Sequence, residues 1–201
     1  MDDARAIEQK WIAGAIAGEE QAFAQLVERY QVPVYNLCFR MLGNNSDAED
    51  ASQETFIRAY RSLGRFDPER KFINWVLTIA SNYCVDQIRR RRLQIIPLDE
   101  IFQGSIVVEP QQGPEGSLMR QENREIIQGL LGVLKPRDRA VVVLRYWYEM
   151  SYEEIARTLS ITVSAVKSRL HRARRSMAAQ WTVHQKQLIA VGGRKDEASA
   201  I

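Results

Sequence analysis

Apolar positions recur along this chain at three- and four-residue intervals, the spacing of one buried helix face. From Glu19 the residues Phe23, Leu26, Val27, Tyr30, Val34, Leu37 and Cys38 keep that register. Pro33 lies inside it, where a missing N–H predicts a kink or a split. Gly43–Asn44 is the predicted stop. A second helix follows, DAEDASQETFIRAYRSL, with Phe56, Ala59, Tyr60 and Leu63 turned to a core. Ser46 and Glu49 stand at capping-box spacing at its start. Gly64–Lys71 is a loop, with Gly64, Asp67 and Pro68 as turn residues. Phe72–Arg92 is the next helix. Its apolar side is Phe72, Val76, Ile79, Tyr83 and, in looser register, Trp75 and Ile88. Its polar side is Asn74, Thr78, Ser81, Asn82, Asp86, Gln87 and the arginines. Met1–Ala17 is a helix or a loose arm anchored by Trp11 and Ile12. Arg120–Leu134 and Asp138–Tyr148 form two helices broken at Lys135–Pro136, with Val142, Leu144 and Trp147 as core. The fold class predicted is all-α.

The pattern is sharpest over Ser151–Met177, SYEEIARTLSITVSAVKSRLHRARRSM. Ser151 with Glu154 makes a capping box ahead of a short helix, Tyr152–Leu159, whose buried face is Ile155, Ala156 and Leu159. Ser160–Thr162 is the turn, with Thr162 as a second N-cap. A helix from Val163 to about Ala178 places Val166, Leu170, Ala173 and Met177 on one stripe. Away from it lie Ser164, Lys167, Ser168, His171, Arg172 and Arg175, and no Asp or Glu interrupts them. Short polar and basic side chains at the start of a helix reach base edges in a major groove, and arginines further along hold phosphates. A solvated helix that is merely basic is the competing reading, although solvated faces usually mix both signs.

Composition narrows the setting. A chain of 201 residues, 45% hydrophobic and 26% charged, suits one or two small globular domains. The net charge is only +3, yet it is segregated. Arg89–Arg92 and the helix after Val163 are basic, whereas Gln94–Met119 carries Asp99, Glu100, Glu109 and Glu115 and no Lys or Arg. Separate basic patches suit a nucleic-acid partner. Cys38 and Cys84 sit among apolar residues and read as buried free thiols of a reducing cytoplasm. No CxxC or His/Cys cluster indicates a metal. The acidic start MDDARA lacks a signal-peptide core, and no apolar run is long enough to span a bilayer.

Two further surfaces carry candidate chemistry. Asp47, Asp50 and Glu54 share a face at i, i+3, i+7. Acidic residues in a first turn suit the helix dipole. The same face would also dock a basic protein, while a metal would need ligands the sequence does not supply. On Phe72–Arg92, rings, amides and clustered arginines suit unstacked DNA, with Phe72 and Trp75 as core residues the alternative. A helix-turn-helix by itself does not distinguish a repressor from an activator, so the whole pattern has to decide.

Taken together, the chain resembles bacterial sigma factors of the extracytoplasmic-function (ECF) group, from about Ala22 to Ala179. DAEDASQETFIRAYRSL followed by FDPERKFINWVLTIASNYCVDQIRRRR is similar to sigma region 2. LKPRDRAVVVLRYWYEMSYEEIARTLSITVSAVKSRLHRAR is similar to region 4. The resemblance implies two small helical domains, a region 2 bundle and a region 4 helix-turn-helix, joined by a flexible linker. It divides the chain into an N-terminal arm (1–18), region 2 (19–93), an acidic linker (94–118), region 4 (119–180) and a tail (181–201).

The family's roles carry over by position. Asp47, Asp50, Gln53 and Glu54 match the docking surface for the β′ coiled coil of core RNA polymerase. The Gly64–Lys71 loop matches the one that captures a flipped base of the −10 element, and flipping costs energy that only a fitting pocket recovers. Arg65, Phe66, Lys71, Phe72, Trp75 and Asn82 are the expected −10 residues. Arg89, Arg90, Arg91 and Arg92 would hold duplex phosphates upstream. Ser164, Lys167, Ser168, His171, Arg172 and Arg175 are the expected −35 residues, with His171 at a variable position. The implied partners are core polymerase (β′ coiled coil and β flap), promoter DNA and an anti-sigma factor, without membrane insertion. No catalytic residue, cofactor or metal is expected, and the location is cytoplasmic. The runner-up is a stand-alone helix-turn-helix regulator, which leaves Asp47–Arg92 without a purpose. The tail from Trp181 is expected to stay helical to Val191, with GGRKDEASAI disordered.

Overall fold

The computed structural model describes residues 2–94 and 114–197. Most of the predicted linker therefore lies outside the described residues. Among those described there are eight α-helices, one 3-10 turn and no strand. In the first half, α1 (Asp2–Ile16), α2 (Glu20–Leu42), α3 (Asn45–Ser62) and α4 (Phe72–Gln94) pack around α2. Leu26, Val34, Leu37, Cys38 and Met41 of α2 are fully buried, as are Val76, Leu77, Ala80 and Cys84 of α4. Both cysteines are free and buried. In the second half, α5 (Pro114–Gly132), α6 (Pro136–Trp147), α7 (Tyr152–Thr158) and α8 (Val163–Glu197) build a core from Leu131, Val142, Leu144, Ile155, Val166 and Leu170.

Several boundaries differ from the sequence expectation. Pro33 neither ends nor splits α2: both halves of the helix bury the same apolar stripe, which outweighs one lost backbone bond. Gly43 ends α2 with φ 88°, a left-handed conformation that glycine adopts without a Cβ clash. The cap of α3 is Asn44 rather than Ser46: the Asn44 side chain accepts from the Asp47 backbone N–H at 2.8 Å. α5 begins at Pro114, earlier than expected, because proline's preset φ suits a first turn. α8 runs through Gly192–Gly193 to Glu197. Each glycine costs about 1 kcal/mol relative to alanine in a helix interior, and the helix nonetheless continues through both.

The two halves are not separate bodies. Their buried residues form one continuous apolar cluster, and α2 and α4 pack against α6 while α4 also meets α7. The second half of the chain supplies donors to carbonyls at the C-terminal end of α2, where the Phe39 carbonyl already accepts from the Gly43 N–H at 2.8 Å. Arg139 Nη1 donates to the Met41 carbonyl at 2.5 Å and Gln128 Nε2 to the Phe39 carbonyl at 3.4 Å. The cation sits at the negative pole of α2. Tyr148 donates its hydroxyl to the Pro33 carbonyl at 2.5 Å, and its burial pushes the phenol pKa well up. The Arg40 guanidinium lies 5.1 Å from the centre of the Trp147 ring, a cation–π contact.

Candidate functional site

The acidic face of α3 divides by chemistry. Glu49, Asp50 and Gln53 are exposed and Glu54 is partly so. Glu54 accepts from Arg58 Nε at 2.7 Å one turn on. Asp47 is different: both of its carboxylate oxygens accept from the Arg91 guanidinium at the far end of α4, and one also accepts from Asn44. Arg91 beside it holds the Asp47 carboxyl below its usual pKa. Asp50, Gln53 and Glu54 are thus presented outward, while Asp47 is committed to Arg91. Among the described residues no group of three His, Cys, Asp or Glu side chains could hold a metal.

The loop between α3 and α4 closes on an aromatic cluster. Phe66 packs 5.4 Å from Phe72 and 5.1 Å from Trp75, and Phe72 packs 5.5 Å from Trp75 and 5.6 Å from Tyr30, centre to centre. Phe66 is 6% exposed and Phe72 1%. In this structure both rings are core, Phe66 anchoring the loop and Phe72 burying the first residue of α4, so neither is presented to a partner here. Trp75 remains partly open, and Arg65 and Lys71 at the two ends of the loop are exposed. Asp67 organises the turn, accepting from the Glu69 backbone at 3.1 Å and pairing with Arg70 at 3.3 Å.

Along α4, Asn74, Thr78 and Asn82 lie at i, i+4, i+8 on one edge. Asn74 Nδ2 donates to Glu154 Oε1 at 2.8 Å, and Thr78 Oγ1 lies 3.4 Å from Thr158 Oγ1, both partners belonging to α7. Asn82 continues this edge uncovered, and Arg89 and Arg90 beyond it are exposed. Arg92 is in α4, but its side chain is outside the described residues. The seam residues Asn74, Glu154 and Thr158 were not singled out as a contact from sequence, since nothing local links α4 to α7.

The helix-turn-helix forms as its caps predict. Ser151 Oγ accepts from the Glu154 N–H at 3.1 Å while Glu154 Oε2 accepts from the Ser151 N–H at 2.8 Å. Thr162 Oγ1 accepts from the Ala165 N–H at 3.1 Å. Ser160 takes a left-handed φ of 52° in the turn. Val166, Leu170 and Ala173 are buried, which leaves Ser164, Lys167, Ser168, His171, Arg172 and Arg175 exposed together on α8. Two residues missed in sequence complete the face. Buried Asp138 on α6 binds Arg169 Nη1 at 2.6 Å and reaches Arg172 Nη2 at 3.5 Å. Arg172 also donates to Ser168 at 3.1 Å. The signal available was an acid in LKPRDRA and a helix with no acid from Val163 to Ala178.

The structure thus presents an outward acidic face on α3, an exposed end to the polar edge of α4 at Asn82, Arg89 and Arg90, and a basic exposed face on α8, an arrangement suited to nucleic acid and a basic protein surface. Comparison with known proteins gives the family. Profiles for Sigma-70 region 2 and Sigma-70 region 4 match residues 26–94 and 124–177. The ECF RNA polymerase sigma factor SigW of Bacillus subtilis is 37% identical over 169 residues, covering 81% of this chain and 90% of SigW. The RNA polymerase sigma-H factor of Pseudomonas aeruginosa is 30% identical over 85% of this chain and 91% of its own. Among solved structures, CnrH in complex with the cytosolic domain of CnrY matches with a TM-score of 0.66 at 27% identity, covering 88% of this chain and 98% of CnrH. RpoE in complex with the anti-sigma factor NepR from Bartonella quintana matches at 0.64 and 25%, covering 80% and 97%. The chain belongs to the ECF sigma factors: it binds core RNA polymerase and directs promoter-specific transcription initiation at −35 and −10 elements. Among the described residues no helix is long and apolar enough to cross a membrane.

Proposed function

We propose that the division of labour within this sigma factor follows the surfaces described above. Residues 19–93 form the region 2 module, 94–118 a linker and 119–180 the region 4 module. Asp50, Gln53 and Glu54 are the main contacts to the β′ coiled coil. Arg65, Lys71, Trp75 and Asn82 read the −10 element, with Phe66 and Phe72 as the scaffold that shapes the base pocket. Arg89 and Arg90 hold upstream phosphates. Ser164, Lys167, Ser168, His171 and Arg172 meet the −35 element, and Arg175 a flanking phosphate. The observation that carries this reading is the placement of an outward acidic face, with Glu49 and Asp50 exposed, and a basic recognition face on different helices of one chain. A stand-alone regulator needs only the second.

The protein acts in the cytoplasm, as a partner of polymerase without catalysis of its own. The two structural relatives were solved with bound partners, one of them named as an anti-sigma factor, which supports an anti-sigma partner for this chain as well. Affinity capture from native cells across growth conditions tests that partner, and capture of none in any condition counts against it. The reading as a whole is tested by run-off transcription with purified core polymerase on a promoter library. Protein-dependent selective initiation is expected. Duplex binding without initiation would leave the stand-alone regulator.

A further inference from the structure

Arg91 lies in the basic run at the end of α4, where a phosphate contact is expected, but its guanidinium grips Asp47 with two nitrogens. Asp47 is one turn before Asp50 on the helix that faces polymerase. A guanidinium fork presents the same paired donors to a carboxylate and to a phosphate, so the Asp47 carboxylate and a DNA phosphate compete for the same Arg91 donors. The pair is open to exchange: the Arg91 side chain is 48% exposed and that of Asp47 21%. α3 does not depend on Arg91 for its start, because Asn44 caps the Asp47 N–H independently. Arg89 and Arg90 directly precede Arg91 in α4, and all three are exposed.

We propose that Asp47 is a positioning residue that keeps Arg91 out of DNA contact in the free protein, and that polymerase docking on α3 releases Arg91 to a promoter phosphate. Docking and DNA binding are then coupled through one exchangeable ion pair, and unbound sigma factor is kept from occupying DNA. The inference rests on α3 being the polymerase-docking helix.

The test is fluorescence anisotropy of a labelled random-sequence duplex against salt concentration, with the free full-length protein and with reconstituted holoenzyme. For the free protein, Asp47→Asn is expected to tighten binding about two- to fivefold and to steepen the log–log salt slope by about 0.9, the value of one added phosphate contact. Glu49→Gln removes the same charge from the same helix without touching Arg91, and is expected to leave the slope unchanged. Adding Arg91→Gln to Asp47→Asn is expected to restore the original slope. In holoenzyme, Arg91→Gln alone is expected to lower the slope by about 0.9, and Arg91→Lys to retain it. Equal slopes for Asp47→Asn and Glu49→Gln, or no change in holoenzyme on Arg91→Gln, would overturn the proposal. The free-protein arm needs no polymerase. Failure of the docking reading is seen separately, as unchanged core affinity on Asp50→Arg with Glu54→Arg.

Discussion

Asn74 of α4 and Glu154 of α7 meet at 2.8 Å, and the same Glu154 carboxylate caps α7 through its other oxygen at 2.8 Å from the Ser151 N–H. One side chain thereby holds the start of the helix-turn-helix and fastens it to the edge of α4 that continues into Asn82. In this arrangement the region 4 module covers part of the edge expected to read the −10 element.

Asn74→Ala with Thr78→Ala removes the fastening and leaves the cap. Each hydrogen bond is worth about 0.5–1.5 kcal/mol, so the closed arrangement should loosen without unfolding. Small-angle scattering is expected to give a larger radius of gyration than wild type, with the helical circular dichroism unchanged. An unchanged radius would mean that the apolar seam and the Arg139, Gln128 and Tyr148 hydrogen bonds suffice to set the packing.

Acid should weaken the same contact. The Ser151 backbone N–H, with the Ser151 hydroxyl, Asn74 and Lys71, holds the Glu154 carboxyl below its ordinary value of 4.5. Arg91, with help from Asn44, likewise holds Asp47 below 3.8. A depressed folded-state pKa contributes stability that is complete above the unfolded value and is lost as pH falls through the folded one. Stability from these two groups should therefore be flat above about pH 5 and decline below about pH 4. Glu154→Gln should lower stability at neutral pH and flatten part of the acid limb, read from urea midpoints across pH.

The docking face is tested by reversing its charge. Asp50→Arg with Glu54→Arg should reduce binding to core polymerase at least tenfold while binding to a −35 duplex is retained. Asp50 is exposed, and Glu54 is partly so with only a surface pair to Arg58, so the melting temperature should stay within a few degrees. Loss of both activities together would show that the variant disrupts the fold rather than a surface.

The recognition face predicts the reverse separation. Lys167→Ala with His171→Ala should weaken selection of the −35 element by about 1–3 kcal/mol if base edges are read there. Core affinity should be unchanged. Competition between a selected promoter and one with a scrambled −35 element measures this directly.

Arg139 ties the modules from the inside. It donates to the Met41 carbonyl across the seam and to the Gly132 carbonyl at 3.0 Å, and it is buried. Arg139→Met keeps the length but strands both acceptors, which costs on the order of 2–3 kcal/mol. A lowered urea midpoint at unchanged slope checks it.

What was legible in the sequence was local. Helical spacing and the Ser151–Glu154 box placed the helix-turn-helix, since each cap is set by residues three apart. The solvent-facing residues of α8 followed from its buried stripe alone. The cap of α3 was misplaced by two residues because Ser46 and Asn44 are both good caps, and only the path of the chain out of Gly43 chooses between them.

Long-range pairing was not legible. Phe72 already stood on the apolar side of its helix, but Phe66 lies in a polar loop, and only the loop folding back onto Phe72 and Trp75 makes it core. Asp47 with Arg91, Asp138 with Arg169 and Asn74 with Glu154 join helices far apart along the chain. The sequence by itself determined the helical class, the caps of the helix-turn-helix, the recognition face and the family. Tertiary structure decided which charges are presented and which are spent on one another. An ion pair or hydrogen bond between helices depends on how those helices cross, and no periodicity within either helix records that.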